Sequence, residues 1–251
     1  RLSSTVFVAP DGDDDNTGTE DAPLASLDAA IQVFRAEPMV ERIELAEGSY
    51  DIGSTTFAIA QDLDISGPSD AEAIIVGSSN LFELETGAFL TLVDVSIESQ
   101  EEALTVPEDT SVSLISVTCE ADICVRAGTL FSNDGGRVEV RRSLFEGLSG
   151  GSSIGIVASV PEDLSVVDST IRDFGQYGIQ VLDGPLTLRD SEVDANPTAL
   201  RLVVNQSENA TAITNTSFDG NGKVLDNTGA RNVTFTNSTL SNSTETAIVS
   251  E

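Results

Sequence analysis

The stretch that decides the fold is LSVVDSTI, residues 164–171, answered by LTLRDSEV, residues 186–193. In both, apolar and polar residues alternate over the first half, as a half-buried strand requires. The fifth position, Asp168 or Asp190, breaks that rhythm with a residue type that tolerates the left-handed backbone of a tight corner. Beyond the corner, positions six and eight point inward again.

The same phrase also begins at Leu90, Val112, Val138, Thr211 and Val233, so that successive starts lie 22, 26, 26, 22, 25 and 22 residues apart. A fixed phrase at such a period means stacked supersecondary units, each contacting only its neighbours. After each phrase comes a further short strand, starting at Ala103, Ile123, Ile154, Tyr177, Ala199, Lys223 and Ala247. Three strands and three corners per repeat predict an all-β solenoid, a right-handed parallel β-helix of about nine coils, each rising roughly 4.8 Å. An antiparallel sandwich would need hairpin signals every 8 to 12 residues and leaves the matching of equivalent positions unexplained. Position six, for instance, reads Ser143, Ser169, Ser191, Thr216 and Ser238, which implies an internal ladder of hydroxyls.

Residues 1–50 read differently, as a strand (Val6 to Val8), an Asp-rich loop and one amphipathic helix. Ser26 is a good N-cap, Leu27, Ala30, Ile31 and Phe34 share one face, and Pro38 ends the helix. Such a helix covers the exposed strand edges of a first coil. Residues 51–251 form the coils, with Ile43, Leu45, Phe57, Ile59, Leu63, Ile65, Ile74 and Val76 filling the early, less regular ones; the chain is one continuous domain. Past Ala247, Ile248 and Val249 no comparable cap follows, so a C-terminal partner domain or self-association is expected there.

The opening Val6-Phe7-Val8-Ala9-Pro10-Asp11-Gly12, then Asp14, Asn16, Gly18-Thr19, Pro23 and Ala29-Ala30-Ile31, resembles the start of pectate-lyase-like β-helix proteins, YVSPxGxDxNxGTxxxPxxTIxxAI. The resemblance covers about 30 residues. It implies the same fold and a secreted, carbohydrate-related role, but it carries no catalytic residue with it.

With 42 acidic against 12 basic residues, the net charge is −30. Nucleic acid is excluded as a partner, because phosphate binding needs a basic surface. A polyanionic glycan would be repelled unless cations bridged it. No apolar run reaches the length of a membrane span. The resemblance implies a place outside the cell or on a bacterial surface, with a polysaccharide as the expected partner. Cys119 and Cys124 lie close across a corner, and a disulfide suits that compartment. Against the bridge, Cys119 reads inward while Cys124 aligns with outward Thr105, Gln180 and Arg201.

The sequence contains no histidine, which removes Ser-His-Asp and Cys-His catalysis and every histidine acid or base. Position nine forms an acidic stripe of Glu98, Glu120, Glu146, Arg172, Asp194, Asp219 and Ser241. Glu98 with Glu120, and the loop acids Asp11, Asp13 and Asp15, are candidate calcium ligands, since hard cations take clustered oxygens. No cofactor is required otherwise. Arg126, Arg137, Arg141, Arg142 and Arg189 form one basic island, and Arg141, Arg189, Gln180 and Arg201 are the candidate carbohydrate-binding residues. The row expected along the groove wall, Thr105, Cys124, Gly155, Gln180 and Arg201, is poor in acids and bases. Six Asn-x-Ser/Thr sequons begin at Asn205, Asn209, Asn215, Asn232, Asn237 and Asn242; stacking of Asn215 with Asn237 in a corner ladder accounts for that pair.

Two functional readings follow. The first is a noncatalytic, glycan-binding or structural and adhesive surface protein. The alternative is a polysaccharide lyase or glycoside hydrolase working with Asp and Arg residues and calcium. The sequence names neither the sugar nor the assembly state.

Overall fold

The computed structural model describes residues 4–128, 135–148, 151–159, 161–203, 211–228, 232–245 and 248–250. Asn205, Asn209 and Ala247 lie outside the described residues. Among the described residues, the named strands all pair in parallel and build three sheets of ten, nine and nine strands. After an initial strand, Thr5–Val8, each coil gives one strand to each sheet in turn. The coil containing residues 164–171, for example, contributes Pro161–Val167 to the first sheet, Thr170–Arg172 to the second and Tyr177–Asp183 to the third. Nine such coils are present among the described residues.

The corner between the first and second sheets is where the phrase changes rhythm. Asp94, Ser116, Arg142, Asp168, Asp190, Asn215 and Asn237 all have φ between 49° and 55°. The left-handed conformation is steric strain for any residue with a Cβ, and Asp and Asn relieve it through short side chains that bond locally. Ser116 and Arg142 occupy it without that help, which shows that the stacked sheets impose the corner on the residue.

The hydroxyl ladder runs behind this corner. The backbone N–H of Ser143 donates to Ser169 Oγ at 3.2 Å, and that of Ser169 donates to Ser191 Oγ at 3.2 Å. Each hydroxyl in turn donates back to the carbonyl two residues earlier, at 2.8 Å from Ser143 to Arg141 and from Ser169 to Val167. Ser143, Ser169 and Ser191 thereby each satisfy a buried backbone donor of the coil before their own. A second ladder, at the corner between the second and third sheets, is made by buried Asn196 and Asn221. Asn196 Oδ1 accepts from the N–H of Phe174 at 3.1 Å, and Asn221 Oδ1 from the N–H of Asn196 at 3.0 Å.

Inward columns form the core. On the second sheet Ile75, Ile97, Cys119, Phe145 and Ile171 stack in register, all buried. Ala73 and Ile75 take the inward places in their strand, so Ile74 and Val76 face outward, one residue away from the alternation read in the sequence. At the head, Ser26 Oγ caps the helix Leu27–Ala36 by accepting from the N–H of Ala29, and Leu27, Ala30, Ile31 and Phe34 are buried. Strands Arg42–Leu45 and Gly48–Gly53 already sit in the first and second sheets, so the first coil starts before residue 50.

Cys119 and Cys124 are joined by a disulfide with Cα atoms 6.0 Å apart, and both are fully buried. The outward alignment of Cys124 is corrected here. With Glu102 opposite Ile123 and Leu104 opposite Val125, Cys124 sits opposite Ala103 and faces the interior. The bridge spans a short loop, so its removal is expected to cost roughly 2 kcal/mol through chain entropy. Unfolding of the Cys119→Ala/Cys124→Ala variant against the oxidised protein measures this. An unchanged midpoint would show that the bridge only fills space.

Candidate functional site on the third sheet

The third sheet carries two outward rows. One reads Glu83, Thr105, Arg126, Val157, Gln180, Arg201 and Asp226 in register. The other reads Glu102, Ile123, Ile154, Tyr177, Thr198 and Lys223. The first row corrects the one read from the sequence, in which Cys124 and Gly155 stood where Arg126 and Val157 do. The cause is a local break in alternation: Ala103-Leu104, Cys124-Val125 and Ala199-Leu200 are each two consecutive fully buried residues. Gly155 and Gly178 occupy the first place of that pair in their strands. A column of small residues marks the bend and was the available signal.

At the N-terminal side of this wall, Glu102 Oε1 accepts from Arg126 Nε at 2.7 Å and lies 2.6 Å from Nη2. The Arg126 side chain is only 16% exposed, so the pair is held largely away from solvent screening. Thr105 Oγ1 accepts from Asn80 Nδ2 at 3.0 Å and donates to Glu102 Oε2 at 3.4 Å. Next along the wall, Ile123, Ile154, Val157 and Tyr177 make a small apolar cluster separate from the main core. On its far side the Arg201 guanidinium lies over the Tyr177 ring, 5.0 Å from the centroid, and Nη1 donates to the phenol oxygen. Arg201 Nε is buried without a hydrogen-bond partner among the described residues. Lys223 Nζ is 3.7 Å from Glu245.

The candidate carbohydrate residues divide between two walls. Gln180 and Arg201 are adjacent on the third sheet. Arg141 and Arg189 stand on the first, separated by Val167, and each pairs locally: Arg141 with Glu139 at 2.5 Å, Arg189 with Asp190 at 2.5 Å. The basic island is therefore dispersed, with Arg126 on the third sheet and Arg137 and Arg141 on the first.

The acidic stripe does run along the second sheet in the expected order. From Glu146 onward it breaks into local contacts. Arg172 bonds Glu146 at 3.1 Å, which raises the guanidinium's pKa further. Asp194 accepts from the N–H of Asp219 at 2.9 Å; burial, with the charges of Glu192 and Asp219, moves its carboxyl upward. Asp219 is moved downward by hydrogen bonds from Ser241 and Asn242. Glu98 and Glu120 stack in register beside a shallow recess that Ser99 and Gln100 also line.

In the N-terminal loop, Asp14 accepts from the N–H groups of Ala25 and Ser26 at 2.9 Å, and Asn16 Nδ2 donates to the Pro23 carbonyl at 2.9 Å. Asp13 accepts from the N–H of Asp15 at 3.0 Å, while Asp11 and Asp15 are exposed. Among the described residues, no three acids or cysteines converge as a metal-holding group. Glu98 and Glu120 on the second sheet and Asp11, Asp13 and Asp15 in the loop would each offer a hard cation carboxylate oxygens, with water or carbonyl oxygens completing its shell. The other buried phenol, Tyr50, donates to the carbonyls of Val8 and Ala46, and burial pushes it up to about 12. No helix among the described residues is long and apolar enough to cross a membrane.

A family model described as a right-handed β-helix region matches residues 73–251. The chain belongs to the right-handed β-helix family. Its sequence matches no curated protein. Among solved structures, this β-helix is similar to a mutant of the PL6 family alginate lyase AlyGC, with a TM-score of 0.61 at 14% identity over 94% of the chain. It spans 39% of that lyase's length. It is also similar to a rhamnogalacturonan lyase, with a TM-score of 0.52 at 11% identity, covering 96% of this chain and 74% of that one. At these identities the likeness is one of fold.

Proposed function

We propose that this β-helix protein works outside the cell or on its surface and binds a polysaccharide without cleaving it. The outer wall of the third sheet, centred on Gln180, Arg201 and Asp226, is the binding face. The observation that carries this reading is the state of the cations there. Arg126 is committed to Glu102 and Lys223 lies beside Glu245, while Arg201 rests on an aromatic ring with no carboxylate bonded to it among the described residues. A guanidinium held against a tyrosine and flanked in register by an amide and a carboxylate offers fixed donors and acceptors for sugar hydroxyls. Histidine is absent and arginine does not give up its proton, so a base on this wall would fall to a carboxylate such as Asp226 or to Lys223, and Lys223 lies beside Glu245. Two further supports are the pectate-lyase-like opening and the fold shared with two polysaccharide lyases. The reading needs no cofactor.

The test is a panel of neutral and acidic polysaccharides, measured for binding and for new chain ends. Binding without release of unsaturated or reducing ends is expected. Arg201→Ala should weaken it about tenfold or more, which corresponds to about 1.4 kcal/mol, while Arg141→Ala on the other wall should leave it unchanged. Steady release of chain ends would instead establish the lyase or hydrolase alternative. Equal binding by both variants would move the site off the third sheet.

A further inference from the structure

The sequons are the one motif that this reading leaves unused. All six lie between residues 205 and 242; the other six asparagines, Asn16, Asn80, Asn133, Asn196, Asn221 and Asn227, begin none. Four of the six, Asn215, Asn232, Asn237 and Asn242, fall among the described residues, and they separate by what surrounds them: Asn232 is exposed, but its sequon runs into the strand Val233–Thr236 and its carbonyl is held by the N–H of Thr211. Asn215 Nδ2 donates to Asp190 at 2.8 Å and Asn242 Nδ2 to Asp219 at 2.6 Å, so both hold neighbouring coils together. The amide of Asn237 has no hydrogen-bond partner among the described residues. Its side chain is exposed, and so is Thr239, the hydroxyl residue that completes Asn237-Ser238-Thr239. The expected stacking of Asn215 with Asn237 is replaced by the bond from Asn215 to Asp190.

Position matters as much as the motif. Asn237 is the last of the seven left-handed corner residues, with φ 50°. None of the seven is buried, so this corner lies on the lateral wall of the solenoid in every coil. A bulky group there would project sideways without entering the core or the strand ladders. The local composition changes as well. The corner is charged at Asp94, Arg142, Asp168 and Asp190 but reads Asn at 215 and 237, and residues 232–250 contain a single charged side chain, Glu245. In a chain whose net charge is −30, the last coil has given up the usual means of staying hydrated.

We infer that Asn237 is an N-glycosylation site, and that a glycan at this corner supplies the last coil with the hydration that charge supplies elsewhere. A sequon is taken up on an accessible surface segment, and the added sugar is bulky and solubilising. The amide nitrogen forms the new bond to the activated sugar's anomeric carbon, the lipid phosphate carrier leaves, and the amide loses one proton. The inference rests on extracellular placement but not on the third-sheet site.

The experiment directs the chain, behind a cleavable secretion signal, through a glycosylating eukaryotic host and maps glycopeptides by mass spectrometry. A hexosamine-linked mass on the peptide containing Asn237 is expected. It should be lost in Thr239→Ala, which keeps the asparagine corner, and in Asn237→Asp, which keeps the corner chemistry, while the melting temperature of both variants stays near that of the deglycosylated parent. An unmodified Asn237 in the secreted chain overturns the inference. The polysaccharide panel, run on the same sample, reports separately on the third sheet.

Discussion

Phe145→Ala is expected to lower the unfolding free energy by about 3–5 kcal/mol, the range for emptying an aromatic site in a packed core. Phe145 is fully buried on the second sheet, stacked between Cys119 below and Ile171 above. Neither neighbour can collapse into the space. Cys119 is tethered by its disulfide, and Ile171 belongs to a strand of three residues, Thr170–Arg172, with its own register to keep. Solenoid stability is close to a sum of coil and interface terms, so the loss should be felt first by the coils on either side. Hydrogen exchange resolved by segment measures this, alongside urea unfolding. A loss under about 1 kcal/mol would mean that the coil relaxes around the cavity, and would contradict the rigid stacking described here.

Gly155→Val is expected to cost about 3 kcal/mol, at the upper end for overpacking. A Cβ at this position would lie 2.5 Å from the Gly178 carbonyl oxygen, 2.9 Å from Phe174 Cε2 and 3.0 Å from Ile171 Cγ2. The nearest of these atoms is backbone of the next coil, held by the sheet, so no rotamer change makes room. The expected response is displacement of strand Tyr177–Asp183, which carries the ring under Arg201. Thermal unfolding should therefore fall together with polysaccharide binding, whereas Arg201→Ala should reduce binding alone. A Gly155→Val protein with the parent's melting temperature would show that the two coils are not in the contact described.

The periodic phrase made most of the solenoid legible, because alternation and corner chemistry are local properties. Asp168 and Asp190 announce a left-handed corner in any context, and Ser143, Ser169 and Ser191 announce a ladder once the period is known. The head cap was equally plain, since Ser26 and the face of Leu27, Ala30, Ile31 and Phe34 are set within ten residues. The candidate site was much less so. A one-residue bend at Cys124 and Gly155 shifted the outward row and hid Arg126 and its partner Glu102. Sequence proximity also suggested a basic island that the coil disperses over two walls.

What the sequence by itself determined is the winding: the strand period, the corner positions, the inward columns of the repeated phrase and the absence of any histidine for catalysis. Only the tertiary structure decided which charged groups meet. Arg126 lies 24 residues from Glu102, and Arg201 lies 24 residues from Tyr177. One turn of the coil makes each pair neighbours. Partnership between side chains depends on register to a single residue, because a slip of one turns a side chain from the wall to the core. That register is fixed by packing small residues against backbone at the bend, a contact between coils that no local stretch of sequence contains.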